Sequence, residues 1–282
     1  MARLPLERIE RRAGRPELLI SRPYLLDALV AALEGPVAFG QEAIDTAALI
    51  AGHDLVVGAD GINSVVRAAF FGPRSGPRQV GSVAWIGTAG FETGVYGETW
   101  GRGRFFGMTP VEPGRTNWYA AVPRATTAAE LRGHFGGWHD PIPRILSETD
   151  PASWIRYEMR HLYPALPAFV RAGSVALNGS VALVGDAAHA MTPNLGQGAC
   201  TAILDAEALT RAIAGVGAGG GAGGGAGAGA GLGGGVRDAL RAYDAERRRS
   251  AQRVAFGSLA LHRIMSTKRT GVRDSLVRLM PA

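Results

Sequence analysis

The stretch VGDAAHAMTPNLGQGA, residues 184–199, sets a single carboxylate, Asp186, directly after an apolar run and brackets a helix entry with glycines. In an open α/β sheet, ligands bind at the carboxyl ends of the strands. A carboxylate at that edge can accept hydrogen bonds from the hydroxyls of a sugar or sugar alcohol. Pro193 stiffens the turn that follows, and Gly196-Gln197-Gly198 opens a helix predicted over 197–214. The bare N–H groups and positive dipole end of such a helix suit an electron-rich or anionic group. Glycines there let a flat ligand lie against the backbone itself. An isolated Gly-Asp pair reads more simply as a helix cap; the whole spaced string does not.

Two further stretches carry candidate chemistry. In DLVVGADGINSVVR, residues 54–67, Asp60-Gly61 also follows an apolar strand, with Ser64 and Arg67 one turn apart on the next helix. Taken alone, an Asp-Gly pair is an ordinary turn. In Ile20-Ser21-Arg22-Pro23, Arg22 stands at a helix start. A guanidinium binds phosphate or carboxylate in bidentate fashion, although one arginine in an arginine-rich chain says little by itself.

The elements that must position these residues follow from the pattern around them. Helical spacing covers 23–33, a short buried strand 54–58, and a helix 63–70. From Val80 to Arg124 glycines and aromatics alternate in short runs (SVAWIGT, GRFFGMTPV, TNWYAAV), which predicts an antiparallel meander. Thr127 to Glu130 forms a capping box for a helix reaching Phe135, and Val181–Val184 is the strand that delivers Asp186. The order α/β, antiparallel sheet, α/β predicts a sheet domain inserted into a parent α/β domain. GSVAL occurs twice, at 173–177 and 179–183; only the second copy can lead into Gly185, and the first reads as an inserted loop. Residues 215–235 contain 14 glycines in 21 positions. They read as a flexible linker with a root-mean-square span of roughly 25 Å. Beyond them, 236–265 reads as one or two amphipathic helices.

Bulk properties exclude several classes. The chain has 282 residues, 46% of them hydrophobic, and a mean hydropathy of +0.06, enough for a substantial core in one large domain or two. Cys200 is the single cysteine, so no intrachain disulfide forms, and a reducing, cytoplasmic setting is the default. No run approaches the ~18 apolar residues of a membrane span, and the N-terminus is too charged for a signal-peptide core. The net charge is +6, but Lys268 is the only lysine among 30 basic residues, and the arginines are spread along the whole chain. That distribution argues against a nucleic-acid partner, with Arg247–Arg249 read as a solvated helix face.

Taken together and in this order, the three segments resemble the single-component, FAD-dependent aromatic hydroxylases, the p-hydroxybenzoate hydroxylase and salicylate hydroxylase group. GDAAHAMTPNLGQGA is similar to that family's C-terminal flavin motif, DLVVGADGINSVVR to its central Asp-Gly motif, and SRPYLLDAL to its Arg-plus-helix segment. ETWGRGRFFGMTPV and GWHDPIPRIL look like its substrate sheet. The resemblance implies that Gly185 and Asp186 meet the ribityl chain of FAD. It implies that the Gly196, Gln197 and Gly198 backbone meets the pyrimidine end of the flavin, and that Pro193 lies over the ring. Arg22, Asp60 and Gly61 are then expected in the ribityl–pyrophosphate region. The reaction it implies uses NAD(P)H to reduce FAD and O₂ to form a flavin C4a-hydroperoxide, which hydroxylates an aromatic or related electron-rich small molecule. No catalytic side chain and no metal are expected, and His189 is structural.

One part of the family pattern is missing. The strand–GxGxxG–helix unit that holds a dinucleotide pyrophosphate has only a literal match at Gly219, Gly221 and Gly224, inside the Gly/Ala segment and after no strand. Near Gly101 and Gly103 the third position is Phe106. The expected fold is therefore α/β (α+β), an incomplete, N-terminally truncated three-layer FAD-binding domain with an inserted antiparallel sheet and C-terminal helices. Its expected parts are 1–72 and 173–214 for the FAD-binding domain, 73–172 for the substrate sheet, 215–235 for the linker, and 236–282 for the helices. Uncovered apolar faces, a tendency to aggregate and FAD binding that is weak or absent are expected to follow. Two alternatives stand beside this reading: an inactive or non-catalytic flavoprotein remnant, and an epoxidase or urate-type hydroxylase on the same scaffold. Substrate identity, NADH against NADPH, and oligomeric state stay open.

Overall fold

The computed structural model describes residues 10–12, 14, 20–42, 45–172, 179–218 and 231–278. In chain order the elements are α1 (Arg22–Ala31), α2 (Thr46–Ala51), β1 (Leu55–Gly58), α3 (Val65–Phe71), β2 (Pro77–Ala89), β3 (Gly97–Trp100), β4 (Phe105–Glu112) and β5 (Arg115–Pro123). Then follow α4 (Ala128–Phe135), α5 (Ile142–Glu148), β6 (Ile155–Leu162), β7 (Val170–Arg171), β8 (Ser180–Leu183), α6 (Asp186–His189), α7 (Gly198–Ala218), α8 (Gly231–Met265) and α9 (Thr270–Arg278). The described residues group into two compact units, one within 40–80 and 159–262, the other within 1–39, 81–158 and 263–282.

The first unit is built on a three-stranded sheet of order β1-β8-β7. β1 runs parallel to β8, from Leu55 opposite Ser180 to Gly58 opposite Leu183, and β7 is antiparallel. All four residues of β8 are buried, as expected for a strand packed on both faces. Val181, Ala182 and Leu183 share a core with Phe169, Ala187, Ala188, Ala208, Leu209, Leu240 and Tyr243. α3 lies so close to this sheet that a Cβ on Gly58 would stand 2.8 Å from Leu183 Cδ2 and 2.9 Å from Val66 Cβ.

One sequence expectation changes here. The stretch expected as a linker, 215–235, is helical at both ends, since α7 runs to Ala218 and α8 begins at Gly231. Extending a formed helix costs far less than nucleating one, and alanine is the strongest helix former. Glycine also has a packing use there, because a Cβ on Gly235 would stand 2.5 Å from Val216 Cγ1. Residues 219–230, with the literal GxGxxG spacing, and the first GSVAL copy lie outside the described residues.

The second unit holds the expected antiparallel sheet, of order β3-β4-β5-β2-β6. One face carries Val83, Trp85, Phe106, Met108, Trp118, Ala120 and Val122 against Leu131 and Phe135 of α4 and Ile142, Ile145 and Leu146 of α5. The predicted capping box opens α4, with Thr127 N donating to Glu130 Oε2 at 2.8 Å and Glu130 N donating to Thr127 Oγ1 at 3.4 Å. On the opposite face a side chain at Gly107 would run into the Tyr119 ring, which lies across that strand. Tyr119 Oη donates to Glu98 Oε1 at 2.7 Å and Trp100 Nε1 to Glu98 Oε2 at 2.8 Å. Burial first, then the neighbouring Glu98 carboxylate, pushes the Tyr119 hydroxyl above its ordinary range, so it stays a donor.

The expected uncovered apolar surface is found on α1 and the segment after it. α1 has no buried residue, and Tyr24, Leu26, Leu29, Val30, Leu33, Val37 and Phe39 are all exposed. Among the described residues no helix is long and apolar enough to cross a membrane.

Two outcomes follow from this packing. Gly58→Val lowers stability by about 1–3 kcal/mol in a urea titration, because the added carbons overpack the α3–β1–β8 contact. The double change Leu26→Glu with Leu29→Glu raises the soluble fraction after expression and leaves the melting temperature nearly unchanged, since neither side chain is packed.

Candidate functional site

Parallel pairing of β1 and β8 delivers two loops to the same sheet edge, one after Gly58 and one after Leu183. The first loop carries Asp60 and Gly61. Asp60 Oδ2 accepts from Val65 N at 2.7 Å and Val66 N at 3.1 Å, capping α3, and Ser64 Oγ accepts from Arg67 N at 2.8 Å. Gly61 has φ +74°, a conformation that side chains rarely adopt, and open space where a Cβ would stand. α3 then points Arg67 beneath the second loop. Its Nη1 donates to Ala187 O at 3.1 Å and Asp186 O at 3.3 Å, and its Nη2 to Ile62 O at 2.7 Å. Burial lowers the Arg67 pKa, while the Asp60 and Asp186 carboxylates pull it back up.

In the second loop Asp186 is the one exposed residue from 185 to 192, and its carboxylate makes no hydrogen bond with any described residue. Gly185 before it has φ +58°, and a Cβ there would stand 3.0 Å from Ala202 Cβ. Pro193 opens a short 3₁₀ turn that closes with Gly196 N donating to Pro193 O at 2.8 Å. Gly196 is left-handed, at φ +63°, and neither Gly196 nor Gly198 has an atom within 4 Å of a built Cβ. Gln197 is exposed, and its carbonyl accepts from Thr201 N at 2.9 Å and Thr201 Oγ1 at 2.7 Å. α7 starts at Gly198 with no acidic residue in its first turn. Its first N–H groups have no intrahelical acceptor and face an uncrowded surface.

The sheet edge thus brings Asp60 and Gly61 beside Gly185 and Asp186, and Pro193, Gly196, Gln197 and Gly198 follow in the turn that enters α7, whose Ala202 lies next to Gly185. Arg22 is exposed at the first position of α1, in the other compact unit.

Sequence reasoning missed a buried set behind the second loop. Asp205 on α7 is fully buried; its Oδ2 accepts from His189 Nε2 at 2.5 Å and Gly185 N at 3.1 Å, and its Oδ1 from Arg247 Nε at 2.9 Å. Arg247 therefore does not lie on a solvated face: it is 8% exposed and paired inside the protein. Tyr243 Oη donates to Leu183 O at 2.7 Å, and Ser258 bonds the Pro193 loop through Thr192 and Leu195. Burial alone would raise the Asp205 carboxyl, but His189, the Gly185 amide and Arg247 outweigh it and hold the group below the ordinary carboxylate value. His189 is 2% exposed and bonded to Asp205.

Comparison with known proteins bears on this edge. The family model described as "FAD binding domain" matches residues 51–257, from the approach to β1 through most of α8. This chain belongs to that family. An aurachin C monooxygenase/isomerase of Stigmatella aurantiaca is 37% identical over 172 residues, 57% of this chain and 43% of that protein. An FAD-dependent urate hydroxylase of Klebsiella pneumoniae is 33% identical over 172 residues, 56% of this chain and 43% of that protein. The chain thus spans less than half the length of these curated relatives. Among solved structures, Klebsiella pneumoniae HpxO complexed with FAD and uric acid superposes with a TM-score of 0.64 at 25% identity, covering 80% of this chain and 55% of that one.

FAD is the cofactor of the family, and the sheet edge fits one end of it. The space over Gly61, Gly196 and Gly198 is open, so a flat ligand can approach the backbone there, and the Asp186 carboxylate, with no hydrogen bond to any described residue, can accept hydroxyl hydrogen bonds.

The depressed Asp205 pKa sets a pH dependence. A carboxylate held low in the folded state contributes stability above its unfolded value, about 3.9, and loses it as pH falls through the folded value. Unfolding titrations from neutral to acid pH show wild-type stability falling in that acid window. Asp205→Asn flattens this fall and costs about 3–5 kcal/mol at neutral pH, because Arg247 is left buried without its charge partner.

Proposed function

We propose that this chain serves an FAD-dependent monooxygenase that uses NAD(P)H and O₂ to hydroxylate an aromatic or related electron-rich small molecule. The observation that supports the reading is an exposed Asp186 carboxylate just after β8, followed by the open Gly196–Gly198 backbone at the start of α7. When bound, FAD supplies hydride acceptance from NAD(P)H and the activation of O₂, so that one oxygen atom enters the substrate and the other leaves as water.

The chain's own residues bind and orient. Asp186 accepts hydrogen bonds from ribityl hydroxyls. The amides of residues 196–198 and the positive end of α7 favour negative charge at the pyrimidine end of the flavin. Pro193 would contact the flavin ring, and Asp60, Gly61 and Arg22 would contact the ribityl–pyrophosphate part of the bound cofactor. The substrate is received on the antiparallel sheet between Val80 and Arg124. There Tyr119 and Trp100 offer aromatic walls, and Glu98 offers a carboxylate already bonded to both. Such a wall suits a flat ring bearing N–H or O–H donors. The uric acid bound in HpxO and the urate hydroxylase relative favour a nitrogen heterocycle over a plain hydrocarbon.

The test is direct. Asp186→Ala weakens FAD binding by about 10- to 100-fold in a fluorescence titration, the value of one or two charge-assisted hydrogen bonds. With FAD present, purines, phenols and polyenes are compared for substrate-dependent NAD(P)H oxidation and for oxygenated product. Unchanged affinity in Asp186→Ala, or NAD(P)H oxidation with no oxygenated product for any class, overturns the reading.

A further inference from the structure

The four-residue turn α6 has nothing of its own to hold it. No side chain caps it, and it starts from a left-handed Gly185. Yet all of its neighbours from 187 to 192 are buried, and only Asp186 faces out. The restraint comes from behind. The Asp205 carboxylate accepts from Gly185 N at the start of the turn and from His189 Nε2 at its end. An ionised carboxylate only accepts, so His189 carries its proton on Nε2. One side chain therefore brackets a five-residue segment whose second residue is Asp186. Arg247 of α8 fixes the other Asp205 oxygen and neutralises its charge. Without that neutralisation a buried carboxylate would oppose the negative charge gathered at this edge.

We propose that Asp205 is a positioning residue for the ribityl-binding turn, pinning both ends of residues 185–189, with Arg247 as its anchor. The proposal rests on the reading of Asp186 as a cofactor contact. It acts through backbone placement rather than through contact with the cofactor. α8 adds a second hold on the same surface, since Ser258 Oγ donates to Thr192 O and accepts from Leu195 N at 3.4 Å on the Pro193 loop. A helix far along the chain thus supports both flavin-facing loops.

The experiment measures amide hydrogen exchange of the full chain without added flavin, followed by FAD titration. In Asp205→Asn, exchange at residues 185–189 speeds up by about tenfold or more, while the β2–β5 sheet keeps its wild-type rates. FAD affinity falls by about tenfold or more in the same variant. His189→Gln keeps an N–H donor toward Asp205 and retains most of the protection; His189→Phe loses it. This pair carries the test where Asp205→Asn does not fold. Wild-type exchange at 185–189 in Asp205→Asn overturns the proposal, as does equal loss of protection in both His189 variants. A rise at 185–189 no larger than the rise in β1, β8 and α7 also overturns it, because that marks a general core role. Asp186→Ala keeps the two readings apart, since it leaves exchange at 185–189 unaltered and changes only flavin affinity. Unchanged affinity in that variant, with fast exchange in Asp205→Asn, removes the cofactor reading and supports the hold of Asp205 on the turn.

Discussion

The parallel pairing of β1 with β8 is the constraint on which the site depends. Two segments more than a hundred residues apart in sequence are set in register, so the loops after Gly58 and Leu183 emerge side by side. Gly58 permits the close approach of α3 that this requires. Arg67 can then reach from α3 to the carbonyls of Asp186 and Ala187. Move β1 by one residue and its pleat reverses, which would turn Gly58 away from Leu183 and Val66 and carry Arg67 off its acceptors.

Charge is handled differently on the two sides of the Asp186 loop. Outside, the Asp186 carboxylate is exposed and makes no hydrogen bond with any described residue. Inside, Arg67 and the Asp205–Arg247 pair are almost fully buried: both Nη atoms of Arg67 donate to backbone carbonyls, and Asp205 accepts from Arg247, His189 and the Gly185 amide. Burial of charge is costly unless paired and bonded, so these groups tolerate little displacement. That intolerance makes them effective at holding a short turn that has few contacts of its own.

Much of this was legible in the sequence. The strand ending in Gly185-Asp186, the glycines at 196 and 198, the antiparallel region and the Thr127–Glu130 capping box all carry local signals, in spacing or in turn chemistry. Asp205 and Arg247 carry none. Each is a charged residue within a helical stretch, and Arg247 sits in a run of three arginines that resembles a solvated face. Yet Tyr243, Arg247, Ala251, Ala255 and Ser258 recur at steps of three and four residues and are all buried. A periodicity judged on apolar residues alone passes over a stripe in which arginine and serine take core positions. The helical ends of the Gly/Ala segment were hidden for a similar reason. Composition reports what a segment tends to do in isolation, whereas a helix already nucleated upstream, and a close contact such as Gly235 with Val216, override it.

α8 has a mechanical consequence. Tyr243 holds the end of β8, Arg247 holds the turn through Asp205, and Ser258 holds the Pro193 loop, all from one rod. The contacts span about 22 Å of helix axis. Loops tied separately to a surface can loosen one at a time; loops tied to a single rod share its displacements. The strand end, the turn and the loop should therefore open together, as one cooperative unit whose stability is that of α8 on its core.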